Sequence, residues 1–207
     1  MRLGLIVAVS LLLLFGCGRP DPYVEGRKFA EEEIGRVRSG DGRSLHCPPI
    51  DLFRSAVEDP GFVKNLRELS LAGSFDRYSG VSLSALVNLE RVTLVDTEGT
   101  ASFLEELPSG IKILILDRTD LTSGAGAAQR LGDTEFVESW LQELTRFDSL
   151  EEVFLNPWGR GLTRIAVDYL PKLESLKKLD IEWASEADVA TLQQALPSCE
   201  VNLIVDH

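Results

Sequence analysis

Leu66-Arg67-Glu68-Leu69-Ser70-Leu71 puts apolar residues at the first, fourth and sixth places of a six-residue frame. The frame returns as Leu89-x-x-Val92-x-Leu94, Ile111-x-x-Leu114-x-Leu116, Leu150-x-x-Val153-x-Leu155 and Leu176-x-x-Leu179-x-Ile181. Successive copies begin 23, 22, 39 and 26 residues apart. A further step of 22 residues reaches Ser198 and sets Val201 and Leu203 in the inward places of a weaker sixth copy. Side chains alternate across a strand, so the fourth and sixth places mark a short strand with one buried face. Ahead of the strands lie apolar residues at helical spacing: Leu83, Leu86 and Leu89; Val137, Leu141, Leu144 and Phe147; Ile165, Tyr169, Leu173 and Leu176; Val189, Leu192 and Leu196. Strand and helix together make one turn that cannot close its own core, so each turn must stack on the next.

This spacing, with one long insertion, is that of a leucine-rich repeat. From about Ile50 to its end the chain resembles bacterial leucine-rich-repeat proteins of the ribonuclease-inhibitor-like kind, and Ala195-Leu196-Pro197-Ser198-Cys199-Glu200-Val201 resembles the last repeat of many of them. The resemblance implies an α/β solenoid of five to six repeats over residues 45–207. Short parallel strands would line its concave face and helices or irregular turns its convex face, with an insertion around 118–134. The family often sets an asparagine shortly after each strand, bonding the backbone of neighbouring turns. The corresponding places here hold Ser74, Thr97, Thr119, Trp158 and Ala184. Serine and threonine can supply part of such a ladder, whereas tryptophan and alanine cannot.

At the other end, Leu14-Phe15-Gly16-Cys17 closes an uncharged apolar run that starts at Leu3, behind Met1-Arg2. The run has signal-peptide length and is too short to span a bilayer. Its ending resembles the lipobox of bacterial lipoproteins. That resemblance implies removal of residues 1–16 and lipidation of Cys17, with fatty chains such as palmitate holding the protein to a membrane; two or more chains anchor stably where one does not. Gly18 is no inner-membrane retention signal, which by resemblance points to the outer membrane of a bacterial envelope. The alternatives are an uncleaved anchor or a plain secretory signal. Residues 17–44, rich in Gly, Pro and charge, read as a tether, with a short helix around Tyr23 to Val37 carried by Phe29, Ile34 and Val37.

The formal net charge is −12, and no lysine or arginine cluster forms a basic face. Such a chain repels phosphates, which excludes nucleic acid as a partner. Gly124-Ala125-Gly126-Ala127-Ala128-Gln129 begins like a dinucleotide loop, but it starts well past its strand and has Gln129 in place of the third glycine, so no cofactor is expected. Only His46 and His207 could serve nucleophilic chemistry. Adjacent His46 and Cys47 point apart on most backbones, so they read as a cap histidine beside a buried thiol. They also lack a second ligand pair for a metal. Glu31-Glu32-Glu33, Glu105-Glu106 and Glu151-Glu152 read as solvated faces rather than catalytic dyads. No catalytic residue is therefore assigned, and the chain is read as a non-enzyme. Six strands at ~4.8 Å separate the first from the last by roughly 24 Å, so no bridge is expected between Cys47 of the leading cap and Cys199 of the trailing turn unless the leading segment folds back along the stack.

Strand alternation also names a surface. The third, fifth and seventh places face outward, which gives Glu68, Ser70 and Ala72; Arg91, Thr93 and Val95; Ile113, Ile115 and Asp117; Glu152, Phe154 and Asn156; Lys178, Asp180 and Glu182. Val95, Ile113, Ile115 and Phe154 gather in the middle with charges around them, as in a protein-recognition patch. Trp158 and Trp183 would stand at one edge as aromatic anchors. The expected function is binding of a protein partner through this concave face, at a membrane. A structural envelope protein and an enzyme with a loop-built site are the competing classes, and an insertion folded over the patch is the competing topology.

Overall fold

The computed structural model describes residues 22–78, 80–97, 100–117, 134–156, 162–182 and 184–204. Seven strands form one parallel sheet in sequence order: β1 (Ser44–His46), β2 (Glu68–Ala72), β3 (Arg91–Val95), β4 (Ile113–Asp117), β5 (Glu152–Asn156), β6 (Lys178–Glu182) and β7 (Glu200–Ile204). Each repeat frame predicted from the sequence becomes a strand, paired in register: Leu69 lies beside Val92, Val92 beside Leu114, Leu114 beside Val153 and Val153 beside Leu179. Parallel neighbours require a crossover. Here the crossovers are α2 (Ile50–Val57) with α3 (Pro60–Asn65), two short 3-10 turns (Phe75–Tyr78 and Leu83–Ala85), α4 (Thr100–Glu106), α5 (Thr134–Leu144), α6 (Leu162–Tyr169) and α7 (Glu186–Ala195). The result is an open α/β solenoid of the leucine-rich-repeat type, with the strands on one side and the helices and turns on the other.

Its core runs the length of the stack. The fourth-place residues Leu69, Val92, Leu114, Val153 and Leu179 and the sixth-place residues Leu71, Leu94, Leu116, Leu155 and Ile181 are all buried. They meet Phe53, Phe62, Phe103, Trp140, Leu144 and Leu162 from the opposite layer. Tyr78 links successive turns, with ring centroids 6.3 Å from Phe53 and 5.7 Å from Phe103. Backbone bonds repeat as the apolar frame does. Arg67 O accepts from the N–H groups of Glu90 and Arg91, Glu90 O from Lys112 and Ile113, Lys112 O from Glu151 and Glu152, and Glu151 O from Lys177 and Lys178.

Arg43 O accepts from Arg67 and Glu68 in the same way, and from Arg67 onward the residues supplying these shared carbonyls alternate in charge along the sheet: Arg67, Glu90, Lys112 and Glu151. Glu90 pairs with Arg67 at 4.0 Å and with Lys112 at 3.5 Å, and Lys177 donates to Glu151 at 2.9 Å. These exposed pairs contribute little to stability, but cross-strand opposite charges disfavour register slips. Helix ends follow ordinary capping chemistry. Asp59 accepts from the N–H groups of Gly61 and Phe62 ahead of Pro60, and Ser185 with Asp188 closes a capping box at α7. Thr163 of α6 also donates to Asp188 at 2.6 Å, tying one turn to the next.

Two ends differ from the sequence reading. The short helix expected around Tyr23 to Val37 forms as α1 (Pro22–Ser39), but it packs on the domain instead of lying in a free tether, and Ser44–His46 is an additional leading strand. Ala30, Ile34 and Val37 recur at a spacing of three to four residues and are buried as a cap over β1 and α3, whereas Phe29 stays exposed. Asn65 donates to Val37 O at 2.9 Å and fixes the helix's last turn. At the other end the sixth copy does form β7, but only Val201 is buried while Leu203 is half-exposed, because no described turn covers the last strand. Glu182, expected on the outward face, is buried beside Ile204. Cys47 and Cys199 are free thiols at opposite ends of the sheet.

Candidate functional site on the sheet face

The outward places form three rows that cross the sheet. The third-place row reads Ser44, Glu68, Arg91, Ile113, Glu152, Lys178, Glu200. The fifth-place row reads His46, Ser70, Thr93, Ile115, Phe154, Asp180, Asn202. At the seventh place Ala72, Val95, Asp117 and Asn156 follow one another. Ile115 and Phe154 are register partners, Ile113 shares β4 with Ile115, and Val95 lies diagonally across β3 beside Asp117. All four are half-buried and contiguous, so the structure brings the predicted apolar group together on one face. Trp158, Trp183, Cys17, the glycine-rich loop and most of the 118–134 insertion lie outside the described residues.

On the β1–β3 side of this apolar group lies a polar depression of about 250 Å³, lined by His46, Glu68, Ser70, Arg91 and Thr93. His46 was read as a cap residue; the structure adds a partner for it on α1. The buried carboxylate of Glu33 accepts from the His46 backbone N–H at 3.0 Å and from its Nδ1 at 2.8 Å. A carboxylate can only accept, so Nδ1 carries the proton and the ring is held in one orientation. Glu33 is visible in the sequence only as one of three consecutive glutamates, and helical phase alone turns it inward between Ala30 and Val37. Cys47, expected as a buried thiol, is exposed: it turns off the strand at φ +41°. Desolvation and the Glu33 carboxylate nonetheless raise its thiol pKa.

On the β5–β7 side, Asp180 accepts from Lys178 and, at 3.1 Å, from Asn202, which also donates to Glu200 at 3.2 Å. Asn156 donates to Asp117 at 3.0 Å. The Lys178 pKa is raised, first by its bond to Asp180 and then by the fields of Asp180, Glu152 and Glu200. Among the described residues no three side chains of metal-binding type converge, and no helix is long and apolar enough to cross a membrane.

No protein-family model matches this chain, and no curated protein matches it. Among solved structures it is similar to the tropomodulin C-terminal domain of Caenorhabditis elegans, at 16% identity and a TM-score of 0.42, over 82% of this chain and 92% of that chain. The fold assignment rests on the chain's own strand order and register: an α/β solenoid of leucine-rich-repeat type that presents its strand face outward.

Proposed function

We propose that this protein is a protein-binding module of a bacterial cell envelope, held to the membrane by lipid on Cys17, which engages its partner through the strand face. One observation carries the reading: Val95, Ile113, Ile115 and Phe154 form a contiguous, half-buried apolar group on a sheet face that no described helix covers, with Arg91, Glu152 and Asp117 around it. An apolar centre with a polar rim is the anatomy of a recognition surface rather than of an enclosed catalytic pocket. The lipid anchor rests on the resemblance of Leu14-Phe15-Gly16-Cys17 to a lipobox.

The test is crosslinking in the native envelope, followed by binding measurements with the captured partner. Ile115→Asp and Phe154→Ala are expected to weaken that binding while the melting temperature stays nearly unchanged. If both variants unfold and the partner still binds the folded fraction, the face is core and the reading fails. In parallel, Cys17→Ser is expected to release the protein from the membrane fraction; a variant that still partitions with membranes and is processed normally removes the anchor. A loop-built enzyme is the second reading, on the strength of the Glu33–His46 couple beside the hydroxyls of Ser70 and Thr93. Neither hydroxyl hydrogen-bonds to the imidazole among the described residues, so no nucleophile and base stand paired there.

A further inference from the structure

The sheet face is electrically uneven, and the unevenness identifies the kind of partner it suits. Across β1–β3 the outward charges balance, with Glu68 against Arg91. Across β4–β7 stand Asp117, Glu152, Asp180 and Glu200 against one ammonium, Lys178. Lys178 is spent on Asp180, its hydrogen-bond partner. Glu152 and Glu200 are its register neighbours on either side, so the field there remains negative. The other contacts do nothing to cancel it: Asp117 is held by the Asn156 amide, and Glu200 by that of Asn202. Amides orient a carboxylate without neutralising it. The apolar group at Ile115 and Phe154 abuts this region directly, since Phe154 lies beside Asp180 in register.

We infer that the strand face takes a partner segment with an apolar centre and a lysine- or arginine-bearing flank, the apolar part seated on Ile115 and Phe154 and the basic flank over β5–β7. This rests on the protein-binding reading above and goes beyond it by naming the partner's chemistry. A desolvated apolar anchor supplies affinity, while complementary charge beside it sets orientation and speeds encounter. An acidic or neutral flank would leave the carboxylates unpaired against it, which disfavours such partners.

The experiment selects a random peptide library displayed on phage against the full chain in detergent, and then measures binding of the recovered peptides. Recovered sequences are expected to pair aromatic or large aliphatic residues with lysine or arginine at one end. Phe154→Ala and the double variant Glu152→Lys/Glu200→Lys should each weaken them by about tenfold or more, the latter with a reduced salt dependence. Glu25→Lys/Glu32→Lys, the same charge change on the exposed face of α1, should leave them unchanged. Peptides that need Phe154 but carry neutral or acidic flanks, or ignore Glu152 and Glu200, overturn the basic partner and leave the binding face standing. An equal loss with the α1 variant overturns it as well, as attraction by net charge alone. Peptides indifferent to both Ile115→Asp and Phe154→Ala overturn the binding face itself.

Discussion

Glu33, 4% exposed on α1, accepts hydrogen bonds from both the backbone N–H and the ring Nδ1 of His46 on β1. A first strand has a free edge, and an uncovered edge invites pairing with other chains. The α1 carboxylate closes part of that edge. In doing so it fixes the one described histidine at the rim of the polar depression on the sheet face.

Removing this carboxylate therefore costs more than a surface change. Glu33→Ala leaves the His46 N–H without its partner and is expected to destabilise the protein by about 1–3 kcal/mol in urea unfolding, whereas Glu33→Gln, which keeps an acceptor, should cost less. Equal stability of Glu33→Ala and the unsubstituted protein would show that water serves the edge as well as Glu33 does.

Leu114 is fully buried at the fourth place of β4, between Val92 and Val153. Leu114→Ala removes contacts to the turns on both sides and is expected to cost about 2–5 kcal/mol. The same truncation at Leu69 or Leu179, nearer the ends, should cost less. A near-zero loss at Leu114 in denaturant unfolding would contradict a continuous core.

Thr97 occupies one of the places where leucine-rich-repeat proteins often use asparagine. It is fully buried, and its hydroxyl has no hydrogen-bond partner among the described residues. A buried hydroxyl without a partner is destabilising, so the near-isosteric Thr97→Val is expected to be neutral or to raise stability by up to about 2 kcal/mol. A clear fall in melting temperature would reveal a bond for this hydroxyl.

Burial, and then the fields of Glu200 and Asp180, push the Cys199 thiol up to about 11. Since the thiolate is the nucleophile, Cys199 should stay unalkylated by iodoacetamide at pH 8 in the folded protein, with its rate rising as pH approaches the native value. Exposed Cys47 should react first, though more slowly than a free cysteine because its pKa is raised too. In denaturant without reductant, two reactive thiols are expected. A third would place a free thiol at Cys17 and contradict lipidation, while none at positions 47 and 199 would reveal a disulfide.

Much of this fold can be read from side-chain periodicity. The first, fourth and sixth apolar places located five strands and the weaker β7, and alternation put Val95, Ile113, Ile115 and Phe154 on one face, because a strand has only two sides and one of them must be buried. The same rule failed where the local period is not what decides. Ser44-Leu45-His46 is too short to display alternation, and becomes β1 only because Glu68, Leu69 and Ser70 offer it a neighbour. Likewise, the helical spacing around Tyr23 to Val37 is legible but its docking is not: Ala30, Ile34 and Val37 find β1 and α3 to cover, while Phe29 stays in solvent.

The Glu33–His46 bond and the hydrogen bonding among the polar groups of β5–β7 belong to the tertiary structure alone. Glu33 and His46 are 13 residues apart, and Glu152, Lys178 and Glu200 are consecutive only across strands. Hydropathy along a chain reports which side chains leave water, and from that the repeat followed. Hydrogen bonds and local fields depend on distances of a few ångströms between groups remote in sequence, and these exist only once the turns have stacked.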